Sequence, residues 1–513
     1  MVSITVFDGV NCIGGNKILL EDGDSRLFFD FGMNFGAEGS LYDEFMKPKP
    51  AGGLYEYIQL GLLPPIKGIY RDDFIPSLHN PFEGFNCTQI DGVDGVLVSH
   101  AHVDHTGYIS FLRKDIPIYS TAMSAAIMRA MQDTGQSGLA VEYCNFALRD
   151  NSSGLVKSDK TGNLEPRPFR ISDFDDSISL QDYWNSSPMK KKTFLPRMFE
   201  SADKCGSMTV KSLKVDHSIY GSTAWAVETS AGWVIYSGDI RTTGKYANFT
   251  YQFAEEAAKL NPIALIIEGT RINSNKNTTE ASIKDHALDI VKNANGLVIA
   301  DFGPRNVERL ITFLEIARET NRDLVLTPKD LFLLKVMSLV DKSQYVPRPS
   351  ELNIKVYERY SSTTSTWQKE LLDEYASFVI TPQEVSKNQD KFICCFSYWD
   401  ANELAYIQPK NDSVWVYSSC EAFNEEMEMD IDKLLNWINR YKMKVAGNLK
   451  RDDEQDPLHV SGHASGPDIK KIIETIRPKY VIPVHCTSLN LYPDLVGDVA
   501  KIIYPEKGVP ISF

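Results

Sequence analysis

The chain of 513 residues lacks the features that mark several large classes of protein. Its eight cysteines, Cys12, Cys87, Cys144, Cys205, Cys394, Cys395, Cys420 and Cys486, form no C-x-x-C pair and no framework spacing, which argues against a disulfide scaffold and against a zinc ribbon. No run approaches the ~18 consecutive apolar residues that a membrane span needs. The longest, such as "IALII" at 263–267, suit buried strands. The N-terminus "MVSITVFDGVNCIGG" has no basic segment ahead of an apolar one, so no secretory signal is visible, and a cytoplasmic location without membrane attachment is the default expectation. Positive charge is not in excess: 54 Lys and Arg against 68 Asp and Glu give a formal net charge of −14. That balance speaks against binding nucleic acid over the whole surface and leaves only a local groove for it. Lys190, Lys191 and Lys192, and the run "NRYKMKVAGNLKR" at 439–451, are the visible basic stretches, and both read as solvated faces. There is no internal repeat and no low-complexity tract.

What is present is the composition of a folded protein, with 43% hydrophobic and 24% charged residues. At roughly 150 residues per domain the length allows about two to four domains. The N-terminal part alternates strands and turns: "SITVF", then "NKILLEDGDSRLFFDFG" as a hairpin turning near Asp22 and Gly23, then "GVLVSH". Residues 35–87 are rich in Gly, Pro and aromatics and read as an insertion with one short helix at most. Residues 140–205 are polar with little periodicity and read as a second insertion. From about 275 to 445 helices and strands alternate, as in "SIKDHALDIVKNANG" followed by "LVIADFG", which predicts a small α/β unit with a parallel sheet. "DPLHVSGHASGPDIKKIIETIRPKYVIPVHCTS" then returns to the style of the first part. The expected division is a first domain over 1–270 with both insertions, an inserted α/β domain over 271–450, and a return segment over 451–513.

The chemistry is concentrated in "SHAHVDHTG" at 99–107, which places three of nine histidines and an aspartate within six positions, directly after Val96, Leu97 and Val98. In an extended loop the rings of His100 and His102 converge on one ion, while Asp104 and His105 face a second beside it. Imidazole nitrogen with carboxylate oxygen suits zinc, and manganese accepts the same donors; two ions about 3.5–4 Å apart serve hydrolytic displacement at phosphorus or carbonyl centres. Asp239, ending "VIYSGD", is a candidate bridge, and His217 follows "SLKVD" at a similar strand end. Singly, such an aspartate caps a turn and such a histidine packs in a core. Together that account fails, because only His79 and His286 lie outside the strand-end groups formed by His100, His102, His105, His217, His459, His463 and His485. Strand alternation turns Cys486 away from the point that His485 faces. Tyr398 and Trp399, in "FSYWDANEL", read as core residues rather than base-stacking platforms.

These motifs carry a resemblance. Asp30 in "LFFDFG", "HAHVDH" at 100–105, His217 and Asp239 resemble, in order, the motifs of the metallo-β-lactamase fold. Glu268 in "ALIIEGT", His463 in "HVSGHAS" and His485 in "VIPVHCTS" resemble the further motifs of its β-CASP branch of nucleic-acid hydrolases. "HVSGHA", "RPKYVIPVH" and "GVNCIGGNK" are most similar to the RNase J-like ribonucleases of bacteria and archaea. The resemblance covers nearly the whole chain and implies a four-layer αββα metallo-β-lactamase fold with an inserted α/β (β-CASP) domain. It implies that His100, His102 and His217 hold one zinc, that Asp104, His105 and His485 hold a second, and that Asp239 bridges them. It implies that Glu268 orients a ligand imidazole, that His463 contacts the scissile phosphate or protonates the leaving oxygen, and that His459, Ser461 and Gly462 meet a neighbouring phosphate.

The implied function is a metal-dependent ribonuclease, exonucleolytic, endonucleolytic or both, with single-stranded RNA threading between the two domains; a homodimer is one assembly open to it. Other readings are a hydrolase of the same fold acting on DNA or on a small phosphodiester or thioester, and a non-catalytic RNA-processing scaffold subunit. His485 favours RNA, because DNA-directed members of the branch tend to have Val there. The inserted domain disfavours a small substrate, and the complete ligand set disfavours the scaffold. Two departures stand out: Cys486 and Thr487 follow His485 where RNase J-like enzymes typically have Gly-Glu, and those enzymes usually carry a further C-terminal domain, for which the residues up to Phe513 are too few.

Overall fold

Apolar residues at every second position make the first three strands two-faced. Ile4, Val6, Ile18, Leu20, Leu27 and Phe29 enter one core, whereas Leu19 and Phe28, one residue out of phase, enter another. A computed structural model describes the chain except residues 44, 137, 160–161, 176–178, 187–192, 276–277, 342–343, 349–352, 419–424 and 450–455. The basic run Lys190 to Lys192, the last two residues of the second basic run, and Cys420 lie outside the described residues.

Two mixed sheets face each other. The first runs, in spatial order, Glu200–Ser201, Phe169–Ile171, Ile118–Ser120, Gly95–Leu97, Ser25–Phe29, Lys17–Asp22, Val2–Asp8 and Pro510–Ser512. The second runs Lys204–Cys205, Met208–Lys214, Thr223–Thr229, Gly232–Tyr236, Ala264–Glu268, Tyr480–Val484 and Lys501–Ile502. Trp225, Val227, Val234, Tyr236, Ile266 and Ile482 meet the inner face of the first sheet. Helices Ala247–Lys259 and Gly466–Ile476 cover the outer face of the second, through Phe253, Ala257, Ile469, Ile472 and Ile473. Helix Ala122–Thr134 covers the outer face of the first. The result is the four-layer αββα metallo-β-lactamase sandwich.

A third sheet, all parallel, is built from Val379–Ile380, Ile354–Tyr357, Asp323–Leu326, Phe392–Cys395, Val298–Asp301, Val414–Tyr417 and Lys444–Ala446. Cys394 and Cys395 are buried in its strand Phe392–Cys395. The chain leaves the second sheet at Glu268 and returns in the adjacent, parallel strand at Tyr480.

Three sequence expectations need correction. Residues 35–87 hold two short α-helices, Phe35–Gly39 and Tyr55–Gln59, not one. Leu54, Ile58, Leu63, Ile66, Ile69 and Phe74 of that stretch are buried in the outer core of the first sheet, because contacts such as Tyr57 on Phe111 (4.5 Å between centroids) replace the periodicity that Gly and Pro erase. Within 140–205, Phe169–Ile171 and Glu200–Ser201 join the first sheet, as strands too short to show a period. Trp399 is 69% exposed on a 3₁₀ turn, Tyr398–Glu403, not packed in a core.

Candidate metal centre

Strand ends supply the site. Asp30 follows strand Ser25–Phe29 with φ 52°, and His485 follows Tyr480–Val484 with φ 49°. A left-handed backbone is costly for a residue with a Cβ, so both positions are held by their surroundings. For Asp30 the hold is a set of hydrogen bonds. Its Oδ1 accepts from Ser99 N (2.7 Å), and its Oδ2 accepts from Ser99 Oγ (2.7 Å), His105 Nδ1 (2.7 Å) and Tyr236 Oη (2.6 Å). The contact at Nδ1 with Asp30 turns Nε2 of His105 toward Asp239 and Asp104, and those carboxylates push the pKa of the ring up despite its burial.

The same device recurs. His217 Nδ1 donates to the carbonyl of Gly462 (2.5 Å), and His485 Nδ1 shares a hydrogen bond with Thr270 Oγ1 (2.8 Å), so each ring presents Nε2 to the centre. Gly32 makes room beneath: a Cβ there would lie 1.6 Å from the carbonyl oxygen of Asp104.

The candidate residues converge. Ligand atoms of His100, His102 and His217 lie within 4.8 Å of one another, as do those of Asp104, His105, Asp239 and His485. His102 Nδ1 faces His100 Nε2 at 3.0 Å and His217 Nε2 at 3.2 Å. Asp239 stands between the two groups: its Oδ2 is 3.2 Å from His105 Nε2 and 3.7 Å from His100 Nε2 and His217 Nε2, and its Oδ1 is 3.9 Å from His485 Nε2. Among the described residues His105 Nε2 and Asp239 Oδ1 are buried without a hydrogen bond. Orphaned donors and acceptors of this kind, in a ring of imidazoles whose remaining nitrogens are already tied down, fit a divalent cation.

Charge follows the same pattern. Burial, with the neighbouring imidazoles, pulls the His100 and His217 rings well below the usual range, and burial takes His102 down to about 3. These three rings are neutral, the form that ligates. Burial opposes the ionised form of Asp104 and Asp239, but His105 and His485 outweigh it and hold both carboxylates below their ordinary values.

Glu268 holds the ring of His463, not one of the seven rings and carboxylates above: its oxygens lie 2.9 and 3.1 Å from His463 Nδ1 and accept from Ile240 N (2.8 Å) and Thr270 N (3.2 Å). Burial disfavours charge on His463, yet Glu268 and Asp239 push its pKa up to about 9. His463 also lies in a third grouping with His217 and Asp239. On the same loop Ser461 Oγ accepts from His463 N (3.2 Å). Gly462 packs on the 217–218 turn, where a Cβ would come within 2.7 Å of Ser218 Oγ. His459 lies within electrostatic reach of Glu280. Cys486 points into the core beyond the second sheet, its thiol pushed up to about 11 by burial. His79 packs at a tilt against Tyr55, and His286 bonds within its own helix. Sequence reasoning gave no role to Ser99, Thr270 or Tyr236, although all three lie inside quoted motifs: Ser99 beside His100, Thr270 two residues after Glu268 and Tyr236 three before Asp239.

Residues 455–486, which carry His459, Ser461, His463 and His485, match the Zn-dependent metallo-hydrolase RNA specificity domain. Over most of its length the chain is similar to ribonuclease J proteins. It is 22% identical to Ribonuclease J of Helicobacter pylori over 492 residues, 94% of this chain and 56% of that protein. It is 21% identical to Ribonuclease J 2 of Streptococcus pyogenes over 98% of this chain and 73% of that one, and 23% identical to Ribonuclease J of Pyrococcus abyssi over 81% and 79%. The chain thus spans little more than half the length of the Helicobacter ribonuclease J proteins it matches. A solved protein of unknown function from Enterococcus faecalis shares the fold over 99% of both chains, with a TM-score of 0.67 at 19% identity. Among the described residues no helix is long and apolar enough to cross a membrane.

Proposed function

We propose that this chain is a metal-dependent ribonuclease hydrolysing phosphodiester bonds of single-stranded RNA at a two-metal centre. One observation carries the reading: the Asp239 carboxylate lies between a three-imidazole group and a group of two imidazoles and a carboxylate. His100, His102 and His217 would hold one zinc, Asp104, His105 and His485 the other, and Asp239 both. Ions held there supply Lewis acidity toward a phosphoryl oxygen and make water nucleophilic at neutral pH.

The chain's own residues do the rest. Asp30, Thr270 and the Gly462 carbonyl fix the rings of His105, His485 and His217, so that no reorganisation is needed when substrate arrives. Glu268 fixes His463 at Nδ1, and its Nε2, without a hydrogen bond among the described residues, is free to contact a phosphate oxygen or protonate the departing one. His459, Ser461 and Gly462 would line the adjoining phosphate position. The sandwich, over 1–270 and 451–513, and the inserted unit, over 271–450, would enclose the strand between them, in the cytoplasm and as a monomer or homodimer.

The test is a zinc-supplemented assay on end-labelled single-stranded RNA beside matching DNA, with His102→Ala as control and products read from both ends. RNA-selective cleavage, absent from the control, is the expected result, and the ladder separates terminal from internal cuts. Two bound metals per chain with no cleavage of either polymer would overturn it in favour of a small-substrate hydrolase.

A further inference from the structure

Between strand Val298–Asp301 and helix Val307–Glu319 of the inserted unit lies a turn whose position is set by the metal loops. Glu308, in the helix's first turn, accepts from the Arg241 guanidinium and from Lys245 N. Arg241, two residues beyond Asp239, also pairs with Asp216 beside His217 (3.1 and 3.2 Å). Arg309 pairs with Glu280 (2.9 and 3.0 Å) and donates to the carbonyls of Ser418 (2.7 Å) and Leu458 (3.3 Å), the latter preceding His459. Arg241, Glu280, Glu308 and Arg309 are all buried, so removing one partner strands a charge, and the network holds the turn against three loops of the site.

Arg305 is in that turn. Its guanidinium lies within electrostatic reach of Asp104, His102 and Tyr143, yet it makes no hydrogen bond or ion pair among the described residues. Burial draws down its pKa, and Asp104, already served by His105 and His485, lies beyond ion-pair distance. Tyr143 comes from the other addition to the sandwich, residues 140–205; it is 5% exposed, and its hydroxyl also lacks a hydrogen bond among the described residues. A half-buried guanidinium within electrostatic reach of Asp104, and a buried phenol within reach of that guanidinium, thus both lack a hydrogen-bond partner among the described residues.

We propose that Arg305 and Tyr143 form a phosphate subsite, in which the guanidinium fork and the phenolic O–H donate to the non-bridging oxygens of a phosphate in the substrate strand. The proposal rests on the phosphodiester reading above. Arginine suits the task because its planar fork meets two phosphate oxygens at once and stays charged when partly desolvated. The subsite also gives the 140–205 stretch and the inserted unit a shared role: each contributes one donor to the same anion.

The experiment compares wild type, Arg305→Met, Arg305→Lys and Tyr143→Phe as full chains. Binding of a fluorescein-labelled single-stranded RNA is read by anisotropy on metal-stripped protein across a salt series, hydrolysis of bis(p-nitrophenyl) phosphate on metal-loaded protein, and metal content by elemental analysis. Arg305→Met is expected to weaken RNA binding about tenfold and to reduce the salt slope by about 0.7, one phosphate contact on a single strand. Arg305→Lys keeps the slope but loses part of the affinity, Tyr143→Phe loses a few-fold with the slope unchanged, and metal content stays at the wild-type value in all three. Unchanged binding and slope in Arg305→Met, or loss of metal with the slope intact, overturns the subsite. If Arg305→Met does not fold, the Lys and Phe variants decide alone. Should wild type ignore RNA while hydrolysing the small diester, and Arg305→Met raise its KM, the subsite stands and the RNA reading falls; RNA cleavage indifferent to every variant gives the reverse.

Discussion

The carboxylate Oδ2 of Asp239 stands 3.2 Å from Nε2 of His105, and among the described residues neither Asp239 Oδ1 nor His105 Nε2 has a hydrogen bond. Two buried polar atoms in that state are disfavoured unless a cation joins them. Asp239→Asn is therefore expected to bind fewer than two metals per chain, by elemental analysis, and to lose activity beyond the roughly 10–100-fold typical of an outer partner. Full activity with two metals retained would remove the bridging role.

Thr270 acts one step further out, through the 2.8 Å contact of its hydroxyl with His485 Nδ1. Thr270→Val keeps the shape and removes the contact. A loss of about 10–100-fold in metal affinity or activity is expected, with the melting temperature nearly unchanged. Competitive titration with a zinc chelator reads the affinity directly, and an unaltered constant refutes the orienting role.

Gly32 tests the close approach beneath the centre. Because a Cβ would fall 1.6 Å from the Asp104 carbonyl oxygen, Gly32→Ala must displace backbone rather than a flexible side chain. Destabilisation of about 1–3 kcal/mol or more is expected, together with weakened metal binding. Urea unfolding measures the first, and wild-type stability in this variant would show that the 103–105 turn yields.

Stability of the inserted unit should depend on pH through Asp301. Burial raises its carboxyl to about 7, opposed by one hydrogen bond from Trp415 Nε1 (3.1 Å) and aided by Asp400, which itself pairs with Arg359. The folded state then binds more protons than the unfolded state between about 4 and about 7. Stability is greatest below that window, falls through it by up to ~1.4 kcal/mol per pH unit, and levels off above it. Asp301→Asn keeps an acceptor for Trp415 and should flatten the slope in urea titrations at pH 5 and pH 8. Part of the slope will persist, because burial raises Asp330, beside Thr327, in the same way to about 7. An unchanged slope would place the proton uptake elsewhere.

The sandwich and its site were legible where local pattern carries the information. Two-residue alternation exposed the hairpin around Gly23, and a histidine or aspartate at the end of an apolar run exposed seven residues that the structure brings within a few ångströms. The rest depends on contacts between residues far apart in sequence. Phe169–Ile171 is a strand only because Ile118–Ser120 is there to pair with it. Trp399 resembles a core residue in composition and is left at the surface by a 3₁₀ turn. Arg305 gives no signal in the sequence, since nothing in "DFGPRNVER" tells that the fold brings it within electrostatic reach of Asp104.

Glu268 ends one strand of the second sheet, and Val484, just before His485, ends the strand beside it. To these two strands, everything between Glu268 and Tyr480 is one connection between neighbours, and closing a longer loop costs little more than closing a short one. During synthesis this order has a consequence. A growing chain can form the His100, His102 and His217 group early, but it has no His463 or His485 until the inserted unit has been made and the strand Tyr480–Val484 has slotted in beside Ala264–Glu268. The last strand to dock brings His485 to Asp104, His105 and Asp239, so the second group of ligand atoms is completed only when nearly the whole chain has been made.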